Sequence, residues 1–163
     1  MVSSVNKKQW RLMVGILIFD QVDLDVAGPF EVFSVTRLKE EHRWVESSPF
    51  RVLLVSERMD QVLAYGGLRL TPDVTIDNCP ELDLLIVPGG WGTRTEVRNN
   101  NLLNWIAVRA AKTRLTASVC MGSKICMISQ LMRSLRRPAP TSKRRPTVNH
   151  KSLHMDQSMF LIG

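Results

Sequence analysis

Three places in this 163-residue chain combine residue types that could do chemistry. Cys120 stands between Ala117-Ser118-Val119 and Met121-Gly122, where an apolar stretch gives way to a helical one. Such a strand-to-helix turn suits a nucleophile elbow. The sharp turn holds the side chain in a strained backbone geometry, small neighbours relieve crowding, and a following helix N-terminus favours the thiolate. A small buried apolar residue is the competing reading, since free cysteines are among the most buried side chains. Pro88-Gly89-Gly90-Trp91-Gly92 forms the second place. Glycines there let backbone N–H groups approach a developing oxyanion, although glycine-rich loops are also ordinary connections, and this one lacks a dinucleotide GxGxxG. Asp25, in Asp-Leu-Asp-Val-Ala-Gly-Pro (residues 23–29), is the third. It could hold a proton for a nucleophile or cap a helix, and Asp23 could cap equally well.

The elements that must position these residues follow from hydrophobic patterning. Leu12 to Phe19 (LMVGILIF) is a continuous apolar run, the pattern of a strand buried on both faces; Phe50 to Ser56 (FRVLLVS) reads as a second strand, Leu82 to Val87 (LDLLIV) as a third, buried one, and Leu115 to Val119 as a fourth, which the loss of later elements would leave with an exposed edge or face. Helical spacing is expected over about Leu24 to Leu38, with Val26, Phe30, Phe33 and Leu38 on its apolar side. It is also expected over Leu102 to Ala111 and from about Ser123. Gly66-Gly67, within Val62 to Ile76, signals a hairpin. Strands alternating with helices predict an α/β domain: a mostly parallel sheet flanked by helices on both faces, a flavodoxin-like three-layer sandwich. Ligands of such sheets sit beyond the carboxyl ends of the strands, where Asp25, Gly89-Gly90 and Cys120 all fall.

With 44% hydrophobic and 23% charged residues, the chain can bury a core as one domain. Its net charge of +7 is concentrated. Between Met132 and Lys151 lie Arg133, Arg136, Arg137, Lys143, Arg144, Arg145 and Lys151 with no acid, and the remaining Lys and Arg are matched by the 15 carboxylates. We therefore divide the chain into a domain at residues 1–131 and a basic, poorly packed tail at residues 132–163. Counterion release could attract nucleic acid to such a tail, but no aromatic residue is interleaved for stacking, so a solvated segment is the expectation. Cys79, Cys120 and Cys126 show no CxxC spacing, which points away from a disulfide framework or a metal site and toward a reducing, cytoplasmic setting. No run reaches the length of a membrane span, so no membrane partner is expected.

The stretches VGILIFDQVDLDVAGPFEVFSV, DLLIVPGGWGTR and LTASVCMGSK, in that order, resemble the DJ-1/PfpI superfamily, which has the class I glutamine amidotransferase-like fold. The resemblance covers Val14 to about Lys124. It is greatest to the isonitrile hydratase branch and to the amidase-like domains of some AraC-type regulators, which carry Asp where DJ-1 itself carries Glu. The resemblance implies catalytic Cys120 with Asp25 as its acid/base partner, and charge stabilisation by Gly89, Gly90, Met121 and Gly122. It implies a small-molecule substrate, no cofactor, no metal and a homodimer. Met121 departs from the Thr common in the hydratase branch and from the His of PfpI-type proteases, which argues against peptidase activity. After Gly122 the sequence leaves the family pattern, and a frameshift, altered splicing or a faulty gene model would each produce this. The C-terminal elements are then expected to be missing. His150 and His154 lie in that divergent tail and are read as solvated. The implied activity is a cysteine-dependent hydratase or hydrolase. The alternatives are a non-catalytic metabolite or redox sensor and a truncated, inactive family member.

Overall fold

The computed structural model of the chain describes residues 11–39, 41 and 44–136. The chain begins with β1 (Leu12–Leu17), a 3-10 turn at Leu24–Val26, α1 (Ala27–Val35) and β2 (Phe50–Ser56). Short strands β3 (Val62–Leu63), β4 (Arg69–Leu70) and β5 (Val74–Thr75) follow. Then come β6 (Leu84–Val87), α2 (Thr93–Glu96), α3 (Asn100–Ala110), β7 (Leu115–Ser118) and α4 (Gly122–Arg136).

Five strands form one parallel sheet in the order β5-β2-β1-β6-β7, and β3 pairs with β4 as a separate antiparallel hairpin. From β1 the chain winds outward through β2 to β5, then returns to the other side of β1 for β6 and β7. Right-handed crossovers running in opposite directions put α1 on one face and α3 with α4 on the other. The fold is thus the expected α/β sandwich, and its winding reverses between β1 and β6. Crevices for ligands open at such reversals.

The β1 run is buried as its composition demands. Val14, Ile16 and Leu17 are fully inaccessible and pack with Leu85 and Val87 of β6, Leu102, Leu103 and Ile106 of α3 and Ile125 of α4. Asn99 starts α3 by accepting a hydrogen bond from the Leu102 N–H at 3.2 Å, satisfying one of the helix's free donors.

Two expectations need correction. The apolar side expected over Leu24 to Leu38 is buried only in part: Val26 is in the core and Phe33 packs against it, whereas Phe30 is exposed and Leu38 lies past the end of α1 at 78% exposure. Its residues are apolar nearly all round, so composition could not define a facing stripe. The segment after Gly66-Gly67 is also not only a hairpin, because Val74 and Thr75 join the main sheet beside Val55 and Ser56. At β7 the expected exposure of a strand face is found, with Leu115 60% exposed. α4 runs to Arg136 with Met132 packed against the core, and residues 137–163, including His150 and His154, lie outside the described residues.

Candidate functional site

The three candidate segments meet where the sheet reverses its winding. β7 ends at Ser118, α4 begins at Gly122, and Cys120 occupies the turn between them with φ of 50°. A residue with a Cβ in the left-handed region is strained, and the surrounding structure must impose that conformation. Two backbone bonds do so here: Val119 N–H donates to Val87 O at 3.0 Å, and Gly122 N–H donates to Val119 O at 2.9 Å. Gly122 sits against the carbonyls of Val87 and Pro88, leaving no room for a side chain. The thiol of Cys120 is exposed rather than packed into the core.

Asp25 reaches the same point from the 3-10 turn after β1. Neither Asp23 nor Asp25 makes a side-chain capping bond. Instead the Gly89 N–H donates to Asp25 Oδ2 at 3.3 Å, across 64 residues of sequence. The loop after β1 is itself fastened to the loop after β6. Asp23 N–H donates to Gly89 O at 3.3 Å, and Val22 forms an antiparallel bridge with Gly90. Gly90, at φ of 126°, lies so close to the Gln21–Asp23 backbone that only glycine fits.

Gly89 shows how tightly the parts converge. A Cβ on Gly89 would lie 2.8 Å from Met121 N, 2.9 Å from Cys120 Cβ and 3.0 Å from Asp25 Oδ2. Cys120 Cβ and Asp25 Oδ2 are therefore separated by no more than the sum of the last two distances. No hydrogen bond joins the thiol and the carboxylate directly, but the gap is one that a substrate atom or a single water can bridge. Among the described residues, the N–H groups of Gly90 and Met121 donate to no protein acceptor. Two free backbone donors beside an exposed thiol are a geometry suited to developing negative charge.

The other thiols differ. Cys79 is buried, and desolvation pushes its pKa up against the opposing charge of Arg109. Cys126, on α4, is pushed up to about 11 by burial. Both stay protonated at neutral pH, whereas the thiolate is the reactive form. No disulfide and no cluster fit for a metal ion occurs among the described residues. No described helix is long and apolar enough to cross a membrane.

Sequence patterning missed two features bordering the site. Gln21 adopts φ of 60°, a conformation that nothing in its residue type announces. Trp91 and Tyr65, both exposed, stand 6.2 Å apart between ring centroids, and the Arg94 guanidinium lies 3.7 Å from the centre of the Trp91 ring. Tyr65 arrives from the β3–β4 hairpin, held by its N–H on Val22 O at 3.0 Å. That long-range contact has no local sequence signal.

Comparison with known proteins agrees with this architecture. The chain is 32% identical over 126 residues to the isonitrile hydratase of Pseudomonas putida, covering 77% of this chain and 50% of that protein. It is 30% identical over 114 residues to the HTH-type transcriptional regulator GbdR of Pseudomonas aeruginosa, covering 68% of this chain and 29% of the regulator. The chain thus spans about half the length of the hydratase and less of the regulator. The crystal structure of a ThiJ/PfpI family protein from Pseudomonas syringae superposes with a TM-score of 0.64 at 26% identity, over 80% of this chain and 52% of that one. Drosophila melanogaster DJ-1beta shares the fold alone, with a TM-score of 0.59 at 10% identity over 74% of this chain and 61% of that one. A profile of the DJ-1/PfpI family matches residues 13–156, and the chain belongs to that family.

Proposed function

We propose that this domain is a cysteine-dependent hydratase or hydrolase acting on a small electrophilic carbon, with isonitrile hydration as its reaction. The observation that carries the proposal is the convergence at Gly89, where Cys120 Cβ, Asp25 Oδ2 and the Met121 N–H all lie within about one van der Waals contact of a single point. Likeness to the Pseudomonas putida isonitrile hydratase supplies the substrate class.

Cys120 is the nucleophile in this reading. Its sulfur bonds to the terminal carbon of R–N≡C while the thiol proton passes through Asp25 to that same carbon, giving a thioimidate. Water then adds to the carbon, the nitrogen gains a proton, and the C–S bond breaks. The products are R–NH–CHO and the regenerated thiol, so one isonitrile and one water yield one formamide. The free N–H groups of Gly90 and Met121 stabilise charge on the adding oxygen, while Gly89 and Gly122 permit the close approach. No cofactor or metal enters these steps. The reading carries with it a cytoplasmic setting, which keeps Cys120 reduced, and a homodimer.

The test is to incubate the full chain with cyclohexyl isocyanide and follow N-cyclohexylformamide by chromatography. Product should form with the wild type and fall to background in Cys120→Ser and Asp25→Asn. Turnover that persists in Cys120→Ser would overturn the assignment. Tight, reversible binding without turnover favours a sensor, the reading that likeness to the transcriptional regulator supports.

A further inference from the structure

The glycines that shape the site put no side chain beside the substrate, so selection falls to the residues next to them. Past Gly90 comes Trp91, 53% exposed. Tyr65, 65% exposed, is set against it by the β3–β4 hairpin. Three bonds fasten that hairpin to the loop after β1. Tyr65 N–H donates to Val22 O at 3.0 Å, Gln21 N–H to Leu63 O at 2.8 Å, and Leu63 N–H to Asp20 Oδ1 at 3.2 Å. Val22 in turn bridges Gly90. The two rings, 6.2 Å apart between centroids and inclined by 30°, are therefore anchored to the same two loops that hold Asp25 and the Gly90 N–H. The Arg94 guanidinium, 3.7 Å from the Trp91 ring centre, steadies the indole from one side.

Tyr65 also lines a cavity of about 550 Å³, with Gln21, Leu63 and Gly92 among its other walls. That is ample for the organic part of a small ligand. Gly92 N–H donates to Gln21 O at 3.1 Å along this wall, and Gln21 holds a left-handed φ of 60° between that bond and its own to Leu63. Strain of this kind persists only where the surroundings impose it, and it gathers at binding sites. Aromatic side chains suit such a place, because they offer a large contact area and have only two torsions to freeze.

We propose that Tyr65 and Trp91 are specificity-determining residues, which receive the organic substituent of the substrate and favour isonitriles bearing a ring or a similar apolar group over small ones. R–N≡C as the substrate comes from the hydratase reading, on which this assignment rests. Because the axis of an isonitrile is linear, R projects out of the glycine cradle once the terminal carbon faces the Cys120 sulfur. The aromatic surface bordering that cradle is the Tyr65–Trp91 pair. R stacks on it, and the cavity lined by Tyr65 takes what extends further.

Two measurements on the full chain separate this role from the reaction itself. In steady-state kinetics, kcat/KM for cyclohexyl isocyanide should exceed that for methyl isocyanide at least about tenfold, the discrimination that even one buried methylene supplies. Combined Tyr65→Ala and Trp91→Ala should bring the two substrates toward parity, mainly by raising KM for cyclohexyl isocyanide. Combined Tyr65→Phe and Trp91→Phe should restore the preference. Equal kcat/KM in the wild type, a preference that survives the alanine pair, or an equal loss for both substrates would overturn the proposal and leave hydration standing. In the second measurement N-cyclohexylformamide, the product, is titrated and followed by tryptophan fluorescence, with N-methylformamide as control. The cyclohexyl compound should change the emission, and Trp91→Phe should remove that change. Such a response in a chain that turns over neither isonitrile would refute hydration and keep the aromatic site. No response, or one indifferent to Trp91→Phe, would overturn the site.

Discussion

Replacing Gly89 by alanine should damage the protein, while the same change at Gly28 should not. The added Cβ at Gly89 would stand 2.8 Å from Met121 N, 2.9 Å from Cys120 Cβ and 3.0 Å from Asp25 Oδ2. The Asp25 carboxylate can rotate aside, but Met121 N is backbone and Cys120 Cβ is fixed by the strained turn, so the elbow itself must shift. Overpacking of this kind costs about 1–3 kcal/mol, and the two unyielding neighbours place Gly89→Ala in the upper half of that range. Rotation of Asp25 would also stretch its 3.3 Å bond from the Gly89 N–H. At Gly28, in the first turn of α1, a Cβ meets nothing within 4 Å. Alanine there should stabilise by about 0.4–1 kcal/mol, chiefly by restricting the unfolded chain. Urea unfolding followed by circular dichroism measures both variants with the same slope. Gly89→Ala within about 0.5 kcal/mol of wild type, the range of an ordinary surface substitution, would refute the convergence drawn at this residue.

Three further outcomes follow from individual contacts. Asn99→Ala should cost about 1 kcal/mol through loss of the α3 cap, measured by the same unfolding. Glu96 has its pKa raised by burial, opposed by a hydrogen bond from Asn99 and reinforced by Glu57 and Asp20. The folded state thus holds this proton more tightly than the unfolded chain. Its stabilising contribution is complete below the ordinary carboxyl value of 4.5 and is lost as pH rises through the higher folded value. Glu96→Gln should flatten that decline in a pH series of melting temperatures, and an unchanged slope would exclude the assignment. Iodoacetamide at pH 8 should alkylate exposed Cys120 and spare Cys126, whose thiol is pushed up to about 11, as peptide mass mapping would show.

How much of this was legible in the sequence depends on how local each signal was. The apolar run at β1 and the Cys120 turn announced themselves because strand burial and small neighbours are written in adjacent residues. The two-residue β5 and one-turn α2 were too short for any period to register. The exposure of Phe30 depends on which neighbours cover a face, which hydrophobicity does not encode. Asp25 was ambiguous between cap and chemistry, and that its carboxylate accepts from Gly89 rather than capping the turn is a contact across 64 residues with no local signal. The Tyr65–Trp91 pair and the left-handed Gln21 arise from the docking of the β3–β4 hairpin onto the loop after β1, a long-range event.

The central claim is that Cys120 forms the bond to carbon and Asp25 moves the proton. Intact-protein mass spectrometry after exposure to cyclohexyl isocyanide, with peptide mapping, tests it most directly. Wild-type protein quenched in acid during turnover should carry one isonitrile mass on the peptide containing Cys120, whereas Asp25→Asn, in which the proton transfer that forms the adduct is impaired, and Cys120→Ser should carry none. An adduct on Cys79 or Cys126, or no adduct in any variant alongside continued formamide production, would contradict the account.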